Sequence, residues 1–168
     1  MSPVLDYKNS AGEYETSSNL FDPQLLDYFP TYTIAAILST YGKPEAIFLS
    51  GDETNSPGLD WVYALTLIYP KEGIRVEYFG GMTGQTTFGI CPMQTSVRLW
   101  LWEPGKYTSV EDMNSSSIPF QGWGTGLSRA YTLEEKSDLT ADEFYEIFKN
   151  ANYDSCFESP KERWFQQP

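Results

Sequence analysis

The apolar residues of this chain follow two periods. Through the middle they alternate with a period of two, and on either side they fall at helical spacing. Trp61, Tyr63, Leu65, Leu67 and Tyr69 share one face of a predicted strand, with Val62, Ala64, Thr66 and Ile68 on the other. A strand apolar on both faces belongs in the centre of a sheet. Pro70-Lys71-Glu72-Gly73 then makes a turn, in which Pro sets φ and Gly accepts a positive φ. The return strand, Ile74 to Phe79, places Ile74, Val76 and Tyr78 inward and Arg75 and Glu77 outward. Val97, Leu99 and Leu101 alternate with Arg98, Trp100 and Trp102 in a further strand, ended by Glu103-Pro104-Gly105. Glu45 to Ser50 reads as another strand, and a short segment, Thr86 to Cys91, follows Gly80, Gly81 and Gly84.

Helical spacing is clearest in two places. Ile34, Ile37, Leu38 and Tyr41 form one stripe, capped by Thr31 or Thr33 and stopped by Gly42 and Pro44. Thr140-Ala141-Asp142-Glu143 is a capping box ahead of Phe144, Ile147, Phe148 and Ala151. Asp22-Pro23 predicts a shorter helix with Leu25, Leu26 and Phe29, and another is expected near Val110 to Met113. Residues 1–18 are polar and read as a flexible leader. Residues 19–168 read as a single α+β domain. Its mainly antiparallel sheet has four to five strands, with helices packed on one face and the tail pinned near Cys91.

Composition narrows the function. The chain is 40% hydrophobic and 16% aromatic, too apolar for a disordered protein. No apolar run approaches the roughly 18 residues of a transmembrane segment. The net charge of −12 argues against a nucleic-acid binder, which needs a surplus of Lys and Arg. The acids are spread along the chain, which suits a solvated surface. Gathered on one face, they would instead form a decoy for a basic partner.

The inventory for catalysis is thin. There is no histidine, so the commonest general base, metal ligand and triad member are missing. No serine is followed three residues later by a lysine. Gly122-Trp123-Gly124-Thr125-Gly126 lacks the lysine of a phosphate cradle and reads as a tight turn. Asp52, Glu53, Asn55 and Asp60 share an oxygen-rich loop but fail the EF-hand spacing. Asp142, Glu143 and Glu146 suit the first turns of a helix, although paired carboxylates are the one acid–base device left. No catalytic residue, metal site or cofactor is therefore expected. Trp61, Trp100, Trp102 and Trp123 are the candidate binding aromatics. Trp100 and Trp102 are core if their face is covered and a ligand platform if it is open.

Cys91 and Cys156 are the only cysteines, and neither belongs to a CxxC pair. They suit either one structural disulfide in an exported protein or two buried thiols. A bridge across about 65 residues would stabilise the fold by roughly 4 kcal/mol in the chain-entropy model. Met1-Ser2-Pro3 leads into a polar stretch with no visible signal peptide. The expectation therefore divides between a cytoplasmic protein and an exported one whose targeting segment, with a lipid anchor, lay upstream.

The segments TIAAILSTYGKPEAIFL, LTLIYPKEGIRVEY, CP, LWLW and TADEFYEIF, with the later CFESPKERWF, resemble a group of uncharacterised bacterial exported or lipoprotein-type domains. The opening helix–Gly–x–Pro–strand is also similar to small envelope domains of the outer-membrane assembly lipoprotein type, the BamE/SmpA-like class. The resemblance implies a matched cysteine pair and no catalytic residues. The leading expectation is thus a non-catalytic envelope or exported domain that binds a protein or ligand. The alternatives are a cytosolic acidic immunity- or inhibitor-type protein that blocks a basic partner, and a carbohydrate-binding module or carboxylate glycosidase.

Overall fold

The computed structural model describes residues 6–8, 14–17, 32–54, 61–94, 96–115, 130–152 and 154–165. The sequence-predicted helix after Asp22, the Gly122–Gly126 turn, Asn55 and Asp60 lie outside these residues. The elements run β1 (Asp6–Lys8), β2 (Tyr14–Ser17), α1 (Ile34–Tyr41), β3 (Ala46–Glu53), β4 (Trp61–Tyr69), β5 (Ile74–Met82), β6 (Thr87–Ile90) and β7 (Ser96–Leu101). They continue through α2 (Val110–Ser115), β8 (Tyr131–Thr132), α3 (Leu133–Lys136), α4 (Ala141–Phe148), β9 (Phe157–Pro160) and α5 (Glu162–Phe165). The fold is α+β and mainly sheet.

The main sheet has the order β1-β2-β7-β5-β4-β3-β8, and β6 and β9 form a second, two-stranded sheet. Every pairing is antiparallel. The predicted hairpin is its centre: Trp61 lies opposite Met82 and Tyr69 opposite Ile74. Gly73, with φ 75°, sits where a Cβ would lie 2.3 Å from the Trp102 carbonyl, so the turn needs glycine on both counts. The sheet is wider than the four to five strands expected, because short strands extend both edges. Two of them, β1 and β2, come from the segment read as a flexible leader. Tyr14 and Thr16 favour extended backbone, and the otherwise open edge of β7 supplies their hydrogen-bond partners. Strand β3 likewise runs past Ser50 to Glu53, so Asp52 and Glu53 are ladder residues opposite Val62 and Trp61.

The first face carries Ile47 and Leu49 from β3, with Tyr63, Leu65, Leu67 and Tyr69 from β4. Beside them lie Ile74, Val76 and Tyr78 from β5 and Val97 and Leu99 from β7. Helices α1 and α4 cover it with Ile34, Ile37, Leu38, Phe144 and Phe148. Each fully buried Leu, Ile or Phe here contributes roughly 1.5–3 kcal/mol. Both helix starts follow from their caps. Thr33 Oγ1 accepts the Ala36 N–H at 3.2 Å, and Thr140 with Glu143 closes a full capping box. A second capping box, Thr132 with Glu135, starts α3.

Burial pushes the phenols of Tyr63, Tyr69 and Tyr78 well above their ordinary 10.0. Tyr69 donates to the Gly42 carbonyl at 3.0 Å and Tyr78 to that of Tyr32 at 3.2 Å.

The longer helices thus share one face, as expected, and the short α2 lies on the other. Its Val110 and Met113 pack with Tyr107 on Ile68, beside Ala46, Phe48 and Trp102. The Glu45 carboxylate fixes the helix start by accepting the Val110 N–H at 2.8 Å. Among the described residues, no helix is long and apolar enough to cross a membrane.

Candidate functional site

The second face changes character between β4 and β7. Alternation puts Thr66 and Ile68 beside Glu77 and Arg75, and those two beside Arg98 and Trp100. A charged row therefore crosses the middle of the sheet. Arg75 and Glu77 are 4% and 2% exposed. This corrects the outward placement expected for them. Period-two alternation assigns a residue to a face, but it does not say whether that face is open to water.

The pairing explains how such charges are tolerated. Arg75 donates from Nη2 to Glu77 Oε1, and the Trp100 indole N–H donates to Glu77 Oε2 at 3.1 Å. The Arg75 guanidinium also stacks over the Trp100 ring, 5.4 Å from its centroid. Arg98 approaches from the next strand, with Nη1 4.0 Å from Glu77 Oε2 and its guanidinium 5.2 Å from the centre of the Phe79 ring. An unpaired buried carboxylate or guanidinium would suffer a desolvation penalty of several kcal/mol. Here attraction and hydrogen bonds offset it. Glu77 is engaged at both oxygens, so it serves as a fixed negative anchor between two guanidinium groups.

The sequence-derived aromatics do not gather into one platform. Trp61 is in the first-face core, where its ring meets Phe88, Trp164 and Phe165 at 5.4–6.0 Å. Trp100 and Trp102 lie on the second face, as alternation predicts. Trp100 belongs to the ionic row. Trp102 packs edge-on to Tyr107 and donates to the Pro70 carbonyl at 3.2 Å, so it is part of the smaller core. Trp123 lies outside the described residues. Arg75, Glu77 and Arg98 were missed as site residues, although a signal for them existed. Strand β4 is apolar on both faces, so a charge at an adjacent position on the neighbouring strand needs a partner.

The cysteines meet at the end of the β6–β9 ladder. Register sets Ile90 opposite Phe157, which brings Cys91 and Cys156 together as the next cross-strand positions. Their sulfurs are at disulfide distance, with Cα atoms 4.2 Å apart. The tail they tether carries Trp164, whose ring occupies the space above Gly51. A Cβ at Gly51 would lie 2.6 Å from that ring. The Trp164 indole N–H donates to Ser159 Oγ at 2.7 Å, and Ser159 in turn donates to the Lys136 carbonyl. Among the described residues, no three His, Cys, Asp or Glu side chains are grouped to hold a metal ion.

Compared with family models, curated proteins and solved structures, the chain matches none.

Proposed function

We propose that this chain is a non-catalytic domain of the bacterial cell envelope, held outside the cytoplasm, that works by binding a protein or ligand. One observation carries the reading: Cys91 and Cys156 sit at disulfide distance across the β6–β9 ladder. Structural disulfides persist in oxidising compartments and are rare in the cytosol. The bridge has a mechanical purpose here, because it ties β6 to β9 and so holds the tail, whose Phe157 and Trp164 belong to the main core. The test is a thiol titration of native protein denatured without reductant. No reactive thiol is expected, and two would overturn the export assignment.

The acids speak for this reading over an acidic inhibitor. Six exposed carboxylates between residues 134 and 146 look like a decoy surface, yet each has an internal partner. Glu135 and Glu143 complete capping boxes, and Glu134 accepts the Ala141 N–H. Asp138, Asp142 and Glu146 pair with Arg163, Lys43 and Lys149. The sugar-platform alternative is weakened by Trp61 and Trp100 standing on opposite faces of the sheet.

A further inference from the structure

We propose that Arg98, with the rings of Phe79 and Trp100, is a receptor site for a single carboxylate carried on a flat apolar body. This inference rests on reading the domain as a binder and names the ligand chemistry. Glu77 gives its two oxygens to Arg75 and to the Trp100 indole. Arg98 is left at 4.0 Å from Glu77, beyond hydrogen-bond reach, and its guanidinium makes no hydrogen bond among the described residues. Its side chain is 22% exposed, against 3% for that of Glu77.

A guanidinium in this state is prepared for binding. Its planar donors match the two oxygens of a carboxylate. It projects from the interior of β7 and rests on Phe79, so less side-chain entropy remains to be lost on binding. Arg75 and Arg98 both flank the Glu77 carboxylate in a chain of −12, and the register sets Glu15 opposite Trp100 at the edge of the row. The surrounding field disfavours polyanions, whereas one carboxylate can use the donors that Arg98 does not give to Glu77. The neighbouring rings supply apolar surface for the rest of the ligand.

Two sources fit this chemistry: a free aromatic acid, or the C-terminal carboxylate of a peptide ending in an aromatic residue. The probes are benzoate and the peptide Gly-Gly-Gly-Phe, with benzyl alcohol and the C-terminally amidated peptide as uncharged controls. Binding is followed in the full chain by the Trp100 indole N–H resonance and by calorimetry. At least one carboxylate probe should shift the resonance saturably, and the tighter one identifies the source. Arg98→Gln should weaken it by about tenfold or more, the loss expected for a charged hydrogen bond. Arg98→Lys, which keeps charge but not the fork, should fall between. Near-UV circular dichroism of both variants checks the fold, and the Lys variant keeps the test decisive if Gln unfolds.

Absence of a saturable shift with both carboxylates overturns the proposal, as does undiminished affinity in Arg98→Gln. Equal binding of the uncharged controls overturns the carboxylate assignment but leaves the domain a binder. Free thiols in unreduced protein would remove the export reading without touching the Arg98 result.

Discussion

The two faces of the central sheet are built from the same alternating strands and reach burial by opposite means. The first face is hydrocarbon and phenol: Leu65, Leu67, Val76 and three buried tyrosines beneath two capped helices. The second is apolar only at its β3–β4 end, under α2, and turns ionic at β5 and β7. On the first face each residue contributes by leaving water, and a change costs about what its own volume dictates. On the second, Arg75 and Glu77 are stable only as a pair, so the loss of one strands the other. A buried charge thus depends on its partner far more than a buried leucine depends on any one neighbour.

Alkali should open the first face, with the largest effect of all. Tyr63, Tyr69 and Tyr78 stay neutral in the fold with phenols held above 10.0, whereas unfolded tyrosine ionises near that value. Above it the unfolded chain binds fewer protons than the native one, so stability falls as pH rises; below it the contribution is complete. Melting followed against pH, with phenolate absorbance recorded alongside, should show these three ionising only as the fold is lost. Ionisation of all twelve tyrosines near pH 10 without a fall in Tm would contradict this.

Glu77→Ala should destabilise by about 3–5 kcal/mol, through the uncompensated Arg75. The double variant Arg75→Leu, Glu77→Leu should return close to wild type. Leu67→Ala, the first-face counterpart, should cost about 2–5 kcal/mol with no such partner to rescue it. Denaturant unfolding measures all three. If Glu77→Ala shifts stability by only about 0.5 kcal/mol, as a surface change does, the second face is not an interior.

The smallest effect belongs to the cap of the helix that covers the first face. Thr140→Ala should cost about 1 kcal/mol at neutral pH. Hydrogen bonds from the Thr140 backbone and hydroxyl hold the Glu143 carboxyl below its ordinary 4.5. That stabilisation is present above 4.5 and lost as pH falls through the lowered value. The difference between wild type and variant should therefore narrow in acid, which thermal melts at neutral and acidic pH would reveal.

Much of this architecture was legible in the chain. The hairpin at Trp61–Tyr69 and Ile74–Phe79, the Pro70–Gly73 turn and the Thr140 capping box were each written in a few adjacent residues. Local rules of backbone geometry and hydrogen bonding suffice for such features. The candidate site was less legible. Arg75 and Glu77 read as outward because alternation is blind to what lies above a face. The strands β1 and β2 read as a polar leader because β2 finds its partner, the edge of β7, some eighty residues away in sequence, and β1 pairs in turn on β2.

The sequence alone settled where the Thr140 helix starts, where the hairpin turns and which residues share a face, since all of these depend on near neighbours. Only the tertiary structure decided that both faces are buried, that Glu77 spends its oxygens on Arg75 and Trp100, and that Cys91 lies across from Cys156. Burial and pairing are properties of distant segments brought together. A charge at an alternating position has the same local pattern whether it faces water or a second charge, and the difference between those two environments is several kcal/mol.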